Sequence, residues 1–120
     1  MITGCTGFLG KVILEKLLRN CPDVSKIIVM VRPKRRVDPM ERVMKEILAS
    51  PCFRKLWDIH GGEIGFQKFA TSKIVAVQGD MIKDGLGLSR EDRAMIASNV
   101  HIIINSAASV NFDDPLQDAL

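Results

Sequence analysis

The chain has 120 residues, of which 47% are hydrophobic and 26% are charged, and its formal net charge is +3. This length and this hydrophobic share predict one small folded domain and exclude a disordered chain. The positive charge is too small and too dispersed to predict nucleic-acid binding, and the absence of tyrosine leaves few aromatic rings on which bases could stack.

Three glycines at intervals of three residues, Gly4, Gly7 and Gly10, follow the short apolar stretch Met1-Ile2. Glycine lets the backbone turn sharply and lets a pyrophosphate approach without a side chain in the way. Free N–H groups and the positive end of the helix dipole would then face the anion. The spacing is GxxGxxG rather than GxGxxG, and a glycine-rich turn that binds nothing stays an alternative.

A βαβ unit is predicted for the first 31 residues. Residues 11–20 show helical periodicity, with an expected apolar face of Val12, Ile13, Leu17 and Leu18. The opposite, polar face is expected to contain Lys11, Glu15 and Arg19. Residues 26–31 form a β-branched apolar run that is typical of a strand buried on both faces.

Arg32 stands where this second strand ends. In NAD-binding domains an acidic residue about 20 residues after the glycines bonds the ribose 2′-hydroxyl. Here residues 32–36 are basic and contain no acid. A guanidinium at this place predicts recognition of a 2′-phosphate, and therefore NADPH rather than NADH. A solvated basic loop is the alternative, and for Lys34, Arg35 and Arg36 neither interpretation is preferred.

The middle of the chain is predicted to contain two helices and a loop. Asp38 caps the first helix, which Pro51 ends. Its apolar stripe is expected to consist of Met40, Val43, Met44, Ile47 and Leu48. Residues 52–57 predict a second short helix, and residues 58–72, with three glycines, predict a loop in which His60 is exposed.

A third strand is predicted over residues 73–79, with Asp80 at its carboxyl end. Ligands bind at these ends in open parallel sheets. The carboxylate could accept a hydrogen bond from an adenine amino group, while the next N–H, that of Met81, reaches the ring. A cap for the turn after Gly79 is the alternative. Ser89 is expected to cap a further helix that ends near residue 99.

The fourth predicted strand covers residues 100–104, with His101 packed or at an edge near its start. The small side chains of residues 105–109 would leave room for a flat ligand against the backbone, although tight helix packing favours the same residues. Asp114 and Pro115 predict the start of a last helix. Together these elements predict an α/β fold, a Rossmann-like doubly wound parallel sheet with strand order 3-2-1-4.

Five motifs resemble, in order and spacing, those of fatty acyl-CoA reductases, which have the male-sterility-type NAD-binding domain of the extended short-chain dehydrogenase/reductase superfamily. They are residues 3–11 (TGCTGFLGK), 31–33 (VRP), 79–80 (GD), 86–89 (LGLS) and 105–112 (NSAASVNF). The glycine turn and the final stretch are the most specific, and the resemblance covers nearly the whole chain. Asn105 departs from the histidine that is usual at the start of the last motif.

The resemblance implies an enzyme that uses NADPH to reduce long-chain acyl-CoA, through a bound aldehyde, to a fatty alcohol and free CoA. By position, the glycines would hold the pyrophosphate, Arg32 the 2′-phosphate and Asp80 the adenine, and the last motif would lie on the nicotinamide side. The implied cofactor-binding residues are Thr3, Gly4, Thr6, Gly7, Phe8, Leu9, Gly10, Arg32, Arg36, Asp80, Met81, Ser106, Ala107 and Ala108.

The superfamily's Tyr-x-x-x-Lys motif would lie beyond residue 120, and this chain has no tyrosine. We therefore expect residues 1–120 to be a partial NADP-binding Rossmann domain that lacks most of its first strand and its catalytic half. Such a piece, which an incomplete gene model would also produce, is expected to be inactive alone and marginally stable or insoluble.

The expected location is intracellular, because the three cysteines follow no metal spacing and suggest reduced thiols. The resemblance implies the cytosolic face of a peroxisomal or endoplasmic-reticulum membrane, although we find no targeting signal and expect no membrane contact within these residues. Two other functions stay open. One is the reductase domain of a carboxylic acid reductase or peptide synthetase, acting on carrier-bound thioesters; the other is an inactive, truncated nucleotide-binding fragment.

Overall fold

A four-stranded parallel sheet forms the centre of the fold in a computed structural model, which describes residues 1–107. Its strands are β1 (Ile2–Thr3), β2 (Ile27–Val31), β3 (Ile74–Gln78) and β4 (Ile104–Asn105). The strand order is β3-β2-β1-β4, and every neighbouring pair is parallel. The predicted α/β fold and its order are confirmed.

Helices connect the strands: α1 (Phe8–Asn20), α2 (Pro39–Arg42), α3 (Arg54–Ile59), α4 (Glu63–Lys73) and α5 (Arg90–Asn99). A π-helical segment, Val43–Leu48, continues α2, and 3₁₀ turns cover Pro51–Phe53 and Asp84–Gly87. The predicted caps are confirmed, because the Asp38 carboxylate accepts from the Met40 N–H at 3.0 Å and the Ser89 hydroxyl from the Asp92 N–H at 3.1 Å. Within residues 1–107 we find no helix with the length and hydrophobicity that a bilayer span requires.

Side chains of β2 alternate between two apolar clusters, one on each face of the sheet. Val29 belongs to the larger cluster, with Leu14 of α1, Ile47 and Phe66. Ile28 and its neighbour Met30 belong to the smaller one, against which α5 packs. Successive residues of a strand point to opposite faces, and each face of β2 is covered by one of these clusters. All five residues of β2 are therefore buried, as predicted.

The predicted buried face of α1 is partly wrong. Val12 is 39% exposed, whereas Leu14 and Glu15 are buried. Gly10 lies against the backbone of Gly4 and so fixes the rotation of the helix, which puts positions 14 and 18 on the same inner face. Burial of Glu15 is tolerated because the Arg19 Nε donates to its carboxylate at 2.7 Å.

The prediction of a loop over residues 58–72 is wrong, because most of this segment is α4. The glycines mark only its start, where Gly61 and Gly62 have φ angles of +75° and +122°. Phe66 and Ala70, one helical turn apart, are both completely buried, and this burial stabilises the helix. His60, which precedes α4, is half-buried rather than exposed. Its ring stacks on that of Phe69 in α4, with the ring centroids 4.2 Å apart.

The fourth strand is much shorter than predicted, because residues 100–103 are not part of it. Its partner in the described structure is β1, which pairs with it through Ile2 and Thr3, and the Ile102 C=O accepts a further hydrogen bond from the Met1 amino group at 2.7 Å. The side chains of Ile102 and Ile103 are 71% and 61% exposed, and His101 is exposed outside the strand. The predicted helix start at Asp114 lies outside the described residues.

Candidate cofactor site

The glycine turn between β1 and α1 is built from backbone groups. Gly4 has a φ of +78°, in the left-handed region that favours glycine, and the Gly7 N–H donates to its C=O at 3.1 Å. Gly7 is the N-cap of α1, with an extended backbone. The chain therefore reverses from β1 into α1 within four residues at the carboxyl end of a central strand.

The three glycines meet different surroundings. A Cβ on Gly4 would lie 2.6 Å from the Ala107 nitrogen, and one on Gly10 would lie 2.2 Å from the Gly4 oxygen. A Cβ on Gly7 would meet only the Gly4 oxygen, at 3.5 Å, among the described atoms outside its chain neighbours. Gly4 and Gly10 are therefore required by packing, whereas the space beside Gly7 is open.

At the amino end of α1, next to Gly7, the first-turn N–H groups have no hydrogen-bond partner among residues 1–107. The first helical hydrogen bond runs from the Lys11 N–H to the Gly7 C=O at 3.2 Å, so the N–H groups of Phe8, Leu9 and Gly10 precede it. Gly7 has no side chain to cap them, and the first turn contains no acid. An anion fits this end of the helix, since the positive end of its dipole meets neither a capping side chain nor an acid of the first turn. Thr6, which precedes the cap, is exposed, as are the side chains of Phe8 and Leu9.

The carboxyl end of β4 is fastened to β1 through Thr3. The buried Thr3 hydroxyl donates to the Asn105 Oδ1 at 2.5 Å, and its C=O accepts from the Ser106 hydroxyl at 2.6 Å. The Asn105 Oδ1 also accepts from the Ala107 N–H at 3.3 Å. These bonds place Ala107 against Gly4. The proton of the Ser106 hydroxyl is used in the hydrogen bond to the Thr3 C=O. Ala108, also predicted to belong to the site, lies outside the described residues.

Arg32 directly follows β2, the strand next to β1. Since Ile2 pairs with Val29, Arg32 lies at the same edge of the sheet as the glycine turn, and its side chain is exposed. Arg36 is exposed in the following turn, where its φ is +60°; the Val37 N–H closes this turn by donating to the Lys34 C=O at 3.2 Å. The structure thus puts the predicted basic segment beside the predicted anion site.

Asp80 follows β3, which is separated from β1 by β2. Its carboxylate accepts from the Ile82 N–H at 3.2 Å, and its own N–H donates to the Leu86 C=O at 2.7 Å. Asp80 therefore caps the turn, as the alternative interpretation predicts. A carboxylate has room to accept further hydrogen bonds, so this does not exclude a contact with adenine. Met81 follows it with a side chain that is 36% exposed.

Sequence reasoning missed two other groups at this edge. Cys5, within the glycine turn, is buried, and burial raises the pKa of its thiol to about 12, so it is not a nucleophile. Arg42 lies in the helix that Asp38 caps; its Nη1 donates to the Arg32 C=O and its Nε pairs with Glu46. The spacing of Arg42 and Glu46, four residues on one helix, is the signal that could have indicated this pair.

The family model described as "Male sterility protein", an NAD-binding domain, matches residues 2–120. The mouse protein named fatty acyl-CoA reductase 1 is 42% identical over all 120 residues, which cover 22% of its length. The Arabidopsis thaliana protein named fatty acyl-CoA reductase 2, chloroplastic, is 38% identical, and the chain covers 19% of it. The chain therefore spans about a fifth of the length of these curated relatives.

Solved reductase domains have a similar fold. The reductase domain of a non-ribosomal peptide synthetase from Mycobacterium tuberculosis superposes with a TM-score of 0.67 at 30% identity, over 92% of this chain and 24% of that one. The terminal reductase domain of the myxalamid biosynthetic pathway gives a TM-score of 0.62 at 30% identity, over 95% of this chain and 25% of that one.

Proposed function

Because the chain belongs to the male sterility protein family of NAD-binding domains, which bind a nicotinamide cofactor, we propose that it is the NADPH-binding part of a fatty acyl-CoA reductase. The observation that carries this proposal is the uncapped amino end of α1 beside the exposed, acid-free segment of residues 32–36. A pyrophosphate and a 2′-phosphate are the two anionic groups that such neighbouring features would suit.

We assign each group of the cofactor to a different set of residues. The first-turn N–H groups of α1 would hold the pyrophosphate, and Arg32 with Arg36 would hold the 2′-phosphate. Asp80 and Met81 would lie towards the adenine, and residues 106–108 towards the nicotinamide. When bound, NADPH supplies the hydride for reduction of the thioester.

The described residues bind and orient in this proposal, and we assign them no proton transfer. The Ser106 hydroxyl is already donated to the Thr3 C=O, and the Cys5 thiol stays protonated at neutral pH. For the whole protein we propose long-chain acyl-CoA as substrate and a fatty alcohol as product, at the cytosolic face of a peroxisomal or endoplasmic-reticulum membrane. The names of the relatives support the substrate, and the resemblance of the motifs supports the location.

A carrier-bound thioester is the second candidate substrate. The superposition on a peptide synthetase reductase domain favours it, because the folds agree over 92% of this chain. The higher sequence identity, 42% against 30%, favours the acyl-CoA reductase. Turnover of the full-length protein with acyl-CoA and with an acylated carrier protein would discriminate between them.

Cofactor titration of the 120-residue chain tests the proposal. We expect NADPH to bind more tightly than NADH, and Arg32→Ala to weaken NADPH binding about tenfold or more, since a charged hydrogen bond contributes about 1.5–3 kcal/mol. NADH binding should change little. Lys68→Ala, which removes an exposed positive charge from α4, is the matched control and should affect neither cofactor. Equal losses for both cofactors would show that Arg32 does not contact the 2′-phosphate.

A further inference from the structure

The basic segment of residues 32–36 is tied to the rest of the molecule through Arg42. The Arg42 Nη1 donates to the Arg32 C=O, and its Nε forms an ion pair with Glu46. The other Glu46 oxygen lies 3.8 Å from the Lys34 Nζ. One carboxylate therefore connects two residues of the basic segment, one through a guanidinium and one directly.

This connection starts from a well-packed part of the fold. The Arg42 side chain is only 14% exposed, and the residues beside the pair, Val43 and Ile47, are completely buried in the core. The guanidinium is thus held at a fixed place on the helix, with a planar set of donors that can serve a carboxylate and a carbonyl at once.

The basic segment itself has little to hold it. Its five residues, 32–36, are all exposed, and four of them carry positive charges that repel one another. Among the described residues, the other tie is the short turn closed between Lys34 and Val37. The hydrogen bond from Arg42 keeps the pKa of Glu46 below its usual range, helped by the positive charges of Arg42, Lys34 and Lys11, so the carboxylate is ionised at neutral pH.

We propose that Glu46, acting through Arg42, is a positioning residue that orders the basic segment for the cofactor's 2′-phosphate and thereby contributes to the choice of NADPH over NADH. This inference rests on the proposed function. The carboxylate of Glu46 would thus favour the binding of an anion although it is itself an anion. The reason is that donors already ordered before binding lose less conformational entropy when the phosphate binds.

The sign of the effect distinguishes this role from simple electrostatics. If only the charge of Glu46 mattered, its removal would strengthen NADPH binding by relieving repulsion with the phosphate. If its positioning of Arg42 and Lys34 matters, removal weakens NADPH binding and leaves NADH binding nearly unchanged.

The experiment measures NADPH and NADH dissociation constants of the 120-residue chain by calorimetry. We expect Glu46→Ala and Arg42→Lys to weaken NADPH binding about fivefold or more, and NADH binding by less than about twofold. Glu46→Gln, which keeps an acceptor for Arg42, should recover part of the loss. The matched control is Glu41→Ala, because Glu41 forms the same kind of pair with Lys45 on the same helix, at 2.6 Å, without contacting the basic segment.

Amide hydrogen exchange without cofactor gives a second readout. In Glu46→Ala and Arg42→Lys, but not in Glu41→Ala, the Val37 N–H should exchange faster, because its turn is no longer anchored. Unchanged or tighter NADPH binding by Glu46→Ala, or equal losses for both cofactors, would overturn the inference. If the wild-type chain prefers NADPH and Glu46→Ala keeps that preference, only this inference fails. If the wild-type chain binds neither cofactor, the proposed function fails as well.

Discussion

Thr3 and Asn105, 102 positions apart, are joined by a hydrogen bond of 2.5 Å from the Thr3 hydroxyl to the Asn105 side-chain oxygen. They are also directly paired in the parallel register of β1 and β4. The same oxygen accepts from the Ala107 N–H, whose residue packs against Gly4. The asparagine that departs from the usual histidine therefore fastens β4 to β1 behind the glycine turn.

Replacement of the Thr3 hydroxyl should lower the stability of this junction. Thr3→Val keeps the volume of a buried side chain but removes the donor, and we expect a loss of about 0.5–1.5 kcal/mol in the free energy of unfolding. Urea titration followed by circular dichroism measures it. Thr71→Val is the control, because the Thr71 hydroxyl is exposed and bonds only to carbonyls of its own helix. A loss no larger than that of the control would contradict the assigned role.

Two glycine substitutions should separate packing from ligand binding. Gly10→Ala forces a methyl group into the Gly4 carbonyl, and we expect it to destabilise the chain by about 1–3 kcal/mol or more. Gly7→Ala meets open space at a φ of −85°. Alanine is a poorer N-cap but restricts the unfolded chain, and these effects are of similar size, so stability should change by less than about 1 kcal/mol.

Cofactor binding should nevertheless be weakened by Gly7→Ala, since its methyl group enters the space beside the first-turn N–H groups of α1. Thermal melting and NADPH titration of both variants measure the two effects. A Gly7→Ala chain that binds NADPH as tightly as the wild type would place the pyrophosphate elsewhere.

The cysteines should differ in reactivity towards a thiol reagent at pH 8. Burial raises the pKa of Cys5 to about 12, so on the order of one in ten thousand of these thiols is ionised, and the side chain is 1% exposed. Burial also raises the pKa of Cys52, but its side chain is accessible. Peptide mass spectrometry should find Cys52 labelled first and Cys5 labelled only in denaturant. Labelling of Cys5 in the native Cys52→Ser chain would contradict this.

The parts of the fold that the sequence predicts correctly depend on local chemistry. Asp38 and Ser89 cap their helices through side chains that bond within three residues, and β2 is an unbroken apolar run. The strand order is that of the doubly wound arrangement, which the alternation of glycine turn, helices and apolar strands predicts. The glycine spacing locates the turn, and Arg32 is placed beside it by the end of β2.

The parts that it misses depend on distant partners. In the described structure β4 pairs with β1 at Ile104 and Asn105, and no pattern within residues 100–104 shows where this pairing begins. The hydrogen bond from Arg42 to the Arg32 C=O joins α2 to the end of β2, and these two elements come together only when the chain folds. Gly61 and Gly62, which directly precede α4, are typical of a loop. The sequence around them therefore does not indicate that Phe66, four residues after Gly62, is buried. The predicted marginal stability of the chain stays a prediction.

The helical state of α4 has a direct consequence for stability. Phe66 is completely buried, and its ring stacks on that of Phe53, with centroids 5.9 Å apart. Phe66→Ala should therefore lower the free energy of unfolding by about 3–5 kcal/mol, a large share of the 5–15 kcal/mol that a domain of this size has. Ile64, two residues earlier, is 73% exposed, and Ile64→Ala should stay within about 0.5 kcal/mol of the wild type. Urea unfolding measures both, and similar losses for the two variants would show that this segment does not pack through Phe66.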